Sequence, residues 1–377
     1  MTISRFSFPT DIQFGPGASR LVGTHLRERG FTRPLIVTDK GLAALPVLKN
    51  FVATLGAELN PSLFAGVQGN PTASQAMLGR EAFRAHQADC VIGIGGGAAL
   101  DIAKVVGLMA THEGDVIEYA WDHPKVRPIN GELPYVVAIP TTSGTGSEVG
   151  RSSVVSDDTT HIKQVIFSPK LLAKAVFADP ELTLDLPPAV TGATGMDALT
   201  HNIESYLSPA FHPLCDGIAL EGVRIAARAL RTAVKDGHNL QARADMMMAS
   251  MMGAIAFQKD LGAVHSCAHA LGAVCDLHHG LANALMLEPV MRFNLETARA
   301  KFAELAHVVG ASNAEDFVPW LMRLKREIGI APSLSAVGVK PTQISALVDI
   351  AEKDICHQTN PRPCTRADFT RFFEQAM

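Results

Sequence analysis

The 377-residue sequence predicts an α/β fold of two domains, an open parallel-sheet domain over residues 1–187 and an all-helical domain over residues 188–377. Three observations predict it. The chain is longer than the roughly 150 residues of a typical single domain. Short β-rich runs alternate with helical stretches only in its first half. After the proline-rich residues 179–188, the apolar pattern becomes helical.

Four β-rich runs predict the strands of the first domain. The run at residues 89–94 is apolar without alternation, which is typical of a strand buried on both faces. Helical stretches separate the runs, so we expect parallel βαβ units in an open sheet. The predicted strands lie in Pro34–Asp39, Glu58–Phe64, Asp89–Ile94 and Tyr135–Ile139.

Apolar residues in the second half recur at spacings of three and four positions, which indicates helices with one buried face. The uncharged stretch at residues 246–258 fits a buried helix, because a bilayer span needs about 20 apolar residues. The predicted helices are Gly217–Ala233, Gln241–Phe257, Ala298–Val309, Glu315–Ile328 and Pro341–Glu352.

The composition argues against several classes of function. The formal charge is −4, and the 33 basic residues are scattered, which disfavours nucleic acid or an anionic membrane surface as a partner. Residues 1–15 lack a basic segment followed by an apolar one, so we expect no export signal. The six cysteines form no CxxC pair. Reduced thiols and a cytoplasmic location are therefore expected.

A glycine-rich turn, GIGGGAALDIAK at residues 93–104, directly follows the buried strand and begins a helix. Glycines allow close approach of a phosphate, and the free N–H groups of the helix start can donate to it. The turn is not the GxGxxG dinucleotide fingerprint, whose third glycine would fall at Ala98. A tight strand-to-helix turn without a ligand is the alternative interpretation.

A second polar loop, PTTSGTGSEV at residues 140–149, also follows a strand. Its hydroxyls could bind phosphate, ribose or adenine, although a polar surface loop is the alternative. Two such loops at the carboxyl ends of neighbouring strands reinforce each other, because open α/β sheets bind ligands there. Asp39 ends an earlier strand and could accept hydrogen bonds from a ribose, which would favour NAD over NADP. A helix cap is the alternative role of Asp39.

The second half contains a cluster of histidines. Asp197 and His201 are four positions apart, which places both side chains on one side of a helix. His265 could face them from another helix, and His279 could complete the set. One carboxylate and three imidazoles suit Fe²⁺ or Zn²⁺ rather than Mg²⁺ or Ca²⁺. Hydrogen-bonded core histidines are the alternative.

Several motifs together resemble the iron-containing (group III) alcohol dehydrogenase family. The resemblance covers almost the whole chain, and it implies an amino-terminal dinucleotide-binding domain, a carboxyl-terminal metal-binding domain and an active site in the cleft between them. The motifs are GIGGGAALDIAK, AIPTTSGTGSEV, ADPELT, TGMDALTHNIESYLS, LGAVHSCAHALGAVCDLHHG and NPRPCT.

The resemblance also implies roles for individual residues. His269 matches the catalytic histidine near the nicotinamide, which we expect to relay a proton or to orient the ring. Ala98 stands where the family often has serine, so one hydroxyl donor is lost while the backbone donors remain. The metal ligands implied are Asp197, His201, His265 and His279. The cofactor-binding residues implied are Asn70, Gly96, Gly97, Ala98, Thr141, Thr142, Thr145, Ser147 and Lys163, and Asp39 is added as a ribose contact.

The implied function is an NAD-dependent oxidoreductase, activated by Fe²⁺ or alternatively Zn²⁺, that interconverts a short-chain alcohol and its aldehyde or ketone. A divalent ion can lower the pKa of a hydroxyl, and the nicotinamide accepts the hydride. The resemblance further implies a homodimer or a larger homo-oligomer. Two alternatives stay open: a metal-dependent lyase or hydrolase of the dehydroquinate synthase type, and a catalytically idle NAD-binding or assembly protein.

Overall fold

The computed structural model describes residue 8, residues 10–160 and residues 162–377. Within these residues the chain forms two compact units. The α/β unit contains residues 10–142 and 147–183, and the helical unit contains residues 143–146 and 184–377. Each unit has its own hydrophobic core. The prediction that residues 1–15 contain no export signal falls mostly on residues 1–7 and 9, which lie outside the described residues.

The strands of the described residues all belong to the α/β unit. They are β1 (Asp11–Phe14), β2 (Pro34–Asp39), β3 (Ser62–Val67), β4 (Cys90–Gly95), β5 (Tyr135–Pro140), β6 (Ser152–Ser156), β7 (Lys163–Phe167) and β8 (Ala175–Ala178). Six of them form a parallel sheet in the order β1-β8-β5-β4-β2-β3. The remaining two, β6 and β7, form an antiparallel hairpin.

Helices flank the sheet strands along the chain and make up most of the helical unit. In the α/β unit they are α1 (Val22–Glu28), α2 (Lys40–Ala43), α3 (Pro46–Thr54), α4 (Ala73–His86) and α5 (Gly97–Thr111). In the helical unit they are α6 (Pro188–Leu207), α7 (Pro213–Lys235), α8 (Leu240–Ala256), α9 (Ala263–Cys275), α10 (His279–Val308), α11 (Phe317–Glu327), α12 (Ile344–Ala351) and α13 (Arg366–Ala376). No helix among the described residues is long and apolar enough to cross a bilayer.

The predicted fold class, a parallel-sheet domain followed by a helical region, is confirmed. The run beginning at Glu58 starts its strand later than predicted, at Ser62, directly after Pro61. The helix predicted from Ala298 is the second part of α10, since the non-helical backbone of Ala298 divides one long helix. The sequence patterns did not predict β1, β6, β7 and β8, because strands of four or five residues are too short to establish a period.

The strand order creates a switch point at the carboxyl edge of the sheet. Strand β3 follows β2 in sequence and lies on one side of β2. Strand β4 lies on the other side of β2, with β5 beyond it. The register pairs Val37 with Gly93, and Gly95 with Pro140. The ends of β2, β4 and β5 therefore lie side by side at the place where open α/β sheets bind ligands.

A buried lysine fixes the start of the hairpin against α5. Lys104 on α5 is almost fully buried, forms an ion pair with Asp101 at 3.2 Å, and donates to the carbonyl oxygens of Ser147 and Ser152. The side chain of Asp101 also accepts the N–H of Val154 at 3.0 Å. A buried ammonium needs such partners because desolvation alone costs several kcal/mol. The polar loop therefore leaves β5 and joins β6 along a defined path.

Candidate functional site

The first glycine-rich turn brings backbone and side chains close together at the carboxyl edge of the sheet. Gly95 has a φ of 148°, and a Cβ at this position would lie 2.7 Å from the Cβ of Ala99 and 3.3 Å from Oδ2 of Asp39. A Cβ at Gly96 would lie 3.5 Å from the side chain of Thr142. Glycine at residue 95 is thus required by both conformation and space. Predicted residues from β2 and both loops are neighbours here.

The amino terminus of α5 supplies the donors that a phosphate needs. Gly96 is the N-cap residue and contributes no side-chain cap, so the first N–H groups of this 15-residue helix are not satisfied by a capping side chain. Gly97 and Ala98 belong to the first turn. Together with the helix dipole, this geometry favours an anion at the turn. Ala98 adds no hydroxyl, so only backbone groups of this turn could donate to an anion.

Asp39 performs the helix-cap role that the sequence left open, and it keeps one oxygen for a second role. Its Oδ1 accepts the N–H of Leu42 at 2.8 Å at the start of α2. Its Oδ2 is the oxygen close to Gly95. The capping bond fixes the carboxylate at the edge of the sheet, with its charge beside the glycine turn.

The predicted residues of the hydroxyl loop differ in their contacts and in the unit to which they belong. Thr141 is buried, and its N–H donates to the carbonyl oxygen of Gly95 at 2.9 Å, which joins the two loops. Ser147 donates its hydroxyl to Asp101 on α5, so it contributes to the path of the loop. Thr145 belongs to the four-residue segment 143–146 that groups with the helical unit.

Backbone pairing links the chain next to Asn70 to the hairpin that carries Lys163. Pro71, the neighbour of Asn70, accepts the N–H of Ser156 at 2.7 Å. Ser156 pairs with Lys163 in the β6–β7 hairpin. Both residues therefore belong to segments of the α/β unit that are joined through Ser156.

Four potential metal ligands converge in the helical unit. Asp197 and His201 lie one turn apart on α6, and their ligand atoms lie within 4.8 Å of those of His265 on α9 and His279 at the start of α10. Asp197 Oδ1 is 3.5 Å from His279 Nε2. Two ligands of one tetrahedral ion are separated by about 3.4 Å when the bonds are about 2.1 Å. The donor set of three nitrogens and one oxygen fits Fe²⁺ or Zn²⁺.

The close approach of α10 to α6 depends on the glycine after His279. A Cβ at Gly280 would lie 2.3 Å from the carbonyl oxygen of Ala193 and 3.1 Å from the Cβ of Asp197. Any larger residue would push the start of α10 away from α6. The His-Gly pair therefore serves two needs at once, a ligand and the space to bring it to Asp197.

Glu204 orients the ring of His265 and sets its tautomer. Glu204 Oε2 lies 2.6 Å from His265 Nδ1, and its Oε1 accepts the N–H of Val264 at 2.8 Å. Burial, with the nearby His201, lowers the pKa of His265 well below its ordinary value, so the ring is neutral. A neutral ring that donates from Nδ1 to a carboxylate keeps its lone pair at Nε2 for a metal. Burial raises the pKa of Glu204 to about 7, against backbone hydrogen bonds from Val264 and His265.

His269 is one turn beyond His265 and is held by a different carboxylate. Its Nδ1 lies 2.7 Å from Asp354 Oδ2, and its ring stacks on that of His279 with centroids 5.4 Å apart. Asp354 also accepts the hydroxyl of Ser266 at 2.8 Å and the N–H of Cys356 at 2.9 Å. Burial acts to raise the pKa of Asp354, but His269 and these hydrogen bonds outweigh it and hold that pKa below its usual range.

Sequence reasoning missed three residues of this centre. Glu204 follows His201 by three positions, and Asn283 follows His279 by four, so helical spacing could have indicated both. Asp354 lies 85 positions from His269, and no local pattern connects them. Each of the three contacts a predicted ligand or His269 through a hydrogen bond, and none of them is part of the predicted ligand set.

Comparisons with known proteins give family matches over both halves of the chain. A family model described as "Iron-containing alcohol dehydrogenase" matches residues 9–180, and one described as "Fe-containing alcohol dehydrogenase family, C-terminal" matches residues 191–377. The chain is 37% identical to 4-hydroxybutyrate dehydrogenase of Cupriavidus necator, over 98% of each chain. It is 33% identical to the NAD-dependent methanol dehydrogenase of Bacillus methanolicus, over the full length of both.

A solved structure gives the same result for the fold. The crystal structure of a 1,3-propanediol oxidoreductase superposes with a TM-score of 0.95 at 38% identity and covers 100% of both chains. The likeness therefore extends over both units.

We predict that Glu204→Gln weakens metal binding roughly 10- to 100-fold, the usual cost of losing a carboxylate partner of a ligating histidine. A glutamine N–H donated to His265 Nδ1 would move the ring proton to Nε2, the atom that must ligate. The measurement is chelator competition with Zn²⁺ on the purified protein. Glu304→Gln, an exposed change on α10, is the control and should leave the dissociation constant unchanged. An unchanged constant for Glu204→Gln would contradict the assigned role.

Proposed function

The chain belongs to the iron-containing alcohol dehydrogenase family, and we propose that it uses NAD and Fe²⁺ to interconvert a short-chain alcohol with its aldehyde or ketone. It is an alcohol dehydrogenase of the iron-containing type. The observation that carries the proposal is the four-residue cluster Asp197, His201, His265 and His279. Zn²⁺ is the alternative ion, because the same donor set binds both.

The metal ligands and the proton-handling residue have separate tasks. The four residues of the cluster would hold the ion, which when bound acts as a Lewis acid on the oxygen of an alcohol or a carbonyl. His269 can take up or release a proton at Nε2, because Asp354 occupies its Nδ1. Asp354 thereby orients the ring and fixes its tautomer. This division matches a reaction that removes one proton and one hydride from an alcohol.

The dinucleotide is assigned to the carboxyl edge of the parallel sheet. The N–H groups at the start of α5 would bind the pyrophosphate, and Thr141 and Thr142 border that turn. Asp39 would accept hydrogen bonds from the ribose and repel a 2′-phosphate. Asn70, Thr145, Ser147 and Lys163 complete the proposed set. The nicotinamide of NAD, when bound, accepts the hydride.

Substrate size and cellular context are also part of the proposal. Relatives act, by their names, on 4-hydroxybutyrate and methanol, and a similar structure is that of a 1,3-propanediol oxidoreductase. Short-chain alcohols are therefore the substrates to test first. All six cysteines are free thiols, which supports a cytoplasmic location. Assembly as a homodimer or larger homo-oligomer is proposed from the family resemblance.

The two alternatives receive no support from the comparisons. The relatives are named dehydrogenases, which favours neither a lyase of the dehydroquinate synthase type nor an idle NAD-binding protein. A lyase would form product without net NADH, and an idle protein would bind NAD and metal without turnover. The same assay distinguishes all three.

We predict that the protein loaded anaerobically with Fe²⁺ reduces NAD in the presence of methanol, ethanol, 1,3-propanediol or 4-hydroxybutyrate. The measurement is the absorbance of NADH, together with metal analysis of aerobic and anaerobic preparations. Removing the metal with a chelator should abolish turnover, and adding Fe²⁺ or Zn²⁺ should restore it. Asp197→Ala should not be restored, whereas the exposed His238→Ala should behave as wild type. Turnover that survives complete metal removal would refute the metal-dependent mechanism.

We predict that His269→Ala lowers turnover roughly 10²- to 10⁴-fold, the usual contribution of a positioned proton-transfer group. Bound metal should stay at the wild-type level, because His269 is outside the four-ligand cluster. Asp354→Asn should have a smaller effect in the same direction, since the ring remains but loses its orienting charge. The exposed His307→Ala on α10 is the control. Loss of metal from His269→Ala would show that His269 is a ligand.

We predict that Asp39→Ser increases the ratio of NADP to NAD activity by roughly tenfold, because it removes the charge that repels a 2′-phosphate. Serine is itself a good N-cap residue, so α2 should keep its cap and the fold should be unaffected. The measurement is kcat/KM for each cofactor. Glu132→Ser, an exposed carboxylate in the same unit, should leave the ratio unchanged. An unchanged ratio for Asp39→Ser would remove Asp39 from the ribose site.

A further inference from the structure

Asn283 is a fifth polar side chain at the proposed metal centre. It lies on α10 one turn after His279, so the two side chains point the same way, and it is fully buried. Its Nδ2 is 2.7 Å from Asp197 Oδ1, 3.2 Å from His265 Nε2 and 3.3 Å from His279 Nε2. One amide group therefore contacts three of the four proposed ligands.

The hydrogen-bonding capacity of the amide decides what these contacts do. The shortest is to a carboxylate oxygen, within the range of a charge-assisted hydrogen bond, whereas both imidazole contacts are longer. Rotating the amide by half a turn would place Oδ1 against the Asp197 oxygen and the lone pair of His265, which are both acceptors. The orientation with Nδ2 toward Asp197 is therefore favoured, although Oδ1 then has no partner.

We propose that Asn283 is a positioning residue of the metal centre, which donates to Asp197 Oδ1 and fixes how that carboxylate meets the ion. Carboxylates bind ions through one oxygen or through two, and free rotation permits both. A short bond to one oxygen, from a side chain on the helix that also carries His279, restricts this rotation. Asp197 then supplies one oxygen, and the centre stays four-coordinate on the protein side. This inference rests on the proposed function.

The contact of Asn283 with Asp197 differs in kind from the contact of Glu204 with His265. Glu204 contacts His265 at Nδ1, the ring nitrogen that would not bind the metal, and selects the tautomer of the ring. Asn283 acts on the carboxylate ligand, and its amide contacts that ligand and two imidazoles together. Removing its donor leaves Asp197 buried and free to turn toward the ion with both oxygens. The expected result is a weaker centre with a higher coordination number.

The test compares wild type, Asn283→Leu and Asn283→Asp by chelator competition with Zn²⁺ and by the visible absorption of the Co²⁺-loaded protein, which is sensitive to coordination number. For Asn283→Leu we expect metal affinity to fall roughly 10- to 100-fold, with loss of the intense four-coordinate Co²⁺ spectrum. Asn283→Asp keeps the shape but not the donor, so it should not restore the wild-type spectrum. It also carries the test if the leucine variant does not fold.

Asn294→Leu is the matched control, because Asn294 is also a buried asparagine on α10, bonded instead to Asn360. It should leave affinity and spectrum unchanged, and thermal unfolding reports the stability of each variant. Wild-type affinity and spectrum in Asn283→Leu, a wild-type spectrum in Asn283→Asp, or an equal effect of Asn294→Leu would each overturn the role of Asn283. If wild type binds no divalent ion, the proposed function fails first, and this inference fails with it.

Discussion

The burial of Asp197 among imidazole rings is the constraint on which the helical unit depends. Asp197, His201 and His265 are nearly inaccessible to solvent. A buried carboxylate costs several kcal/mol unless opposite charge or hydrogen bonds compensate it. Imidazoles ligate in their neutral form and contribute no charge, so the centre as a whole lacks a positive partner for Asp197. A divalent cation would meet this need, and the packing of α6, α9 and α10 brings its four proposed ligands together.

The proposed cofactor site of the α/β unit depends far less on particular side chains than the proposed metal centre does. Its proposed cofactor edge is produced by strand order, by the start of α5 and by the space that Gly95 leaves. The N–H groups of Gly97 and Ala98 belong to the backbone, so alanine at residue 98 supplies no hydroxyl but leaves the donors of the proposed anion site in place. Asp39 is the exception, because its charge is proposed to distinguish NAD from NADP, and its capping bond to Leu42 holds the carboxylate in place.

The features that could be predicted from the sequence are those with a local periodic pattern or a local cluster of residues. The buried run of β4, the turn after it and the Asp197–His201 spacing each span only a few positions, so local pattern indicated the sheet, the turn and the ligand helix. Strands β1 and β8 pair across more than 160 positions and are four residues each, too short for a pattern. Asp354 reaches His269 only through the tertiary fold. Local spacing has no information on such pairs.

Two carboxylate–histidine pairs of similar length show how environment separates roles. Glu204 and Asp354 lie 2.6 Å and 2.7 Å from their histidines. The first pair has side chains only 1% exposed, so burial dominates, the pKa of Glu204 rises to about 7 and His265 is kept neutral as a ligand. The second pair is 20% and 16% exposed, and there the attraction of His269 and several hydrogen bonds keep the Asp354 pKa low. A carboxylate that stays ionised can stabilise a protonated ring, whereas full burial of the imidazole favours its neutral form. One histidine is thereby suited to hold a metal, and the other, one turn away on the same helix, to exchange a proton.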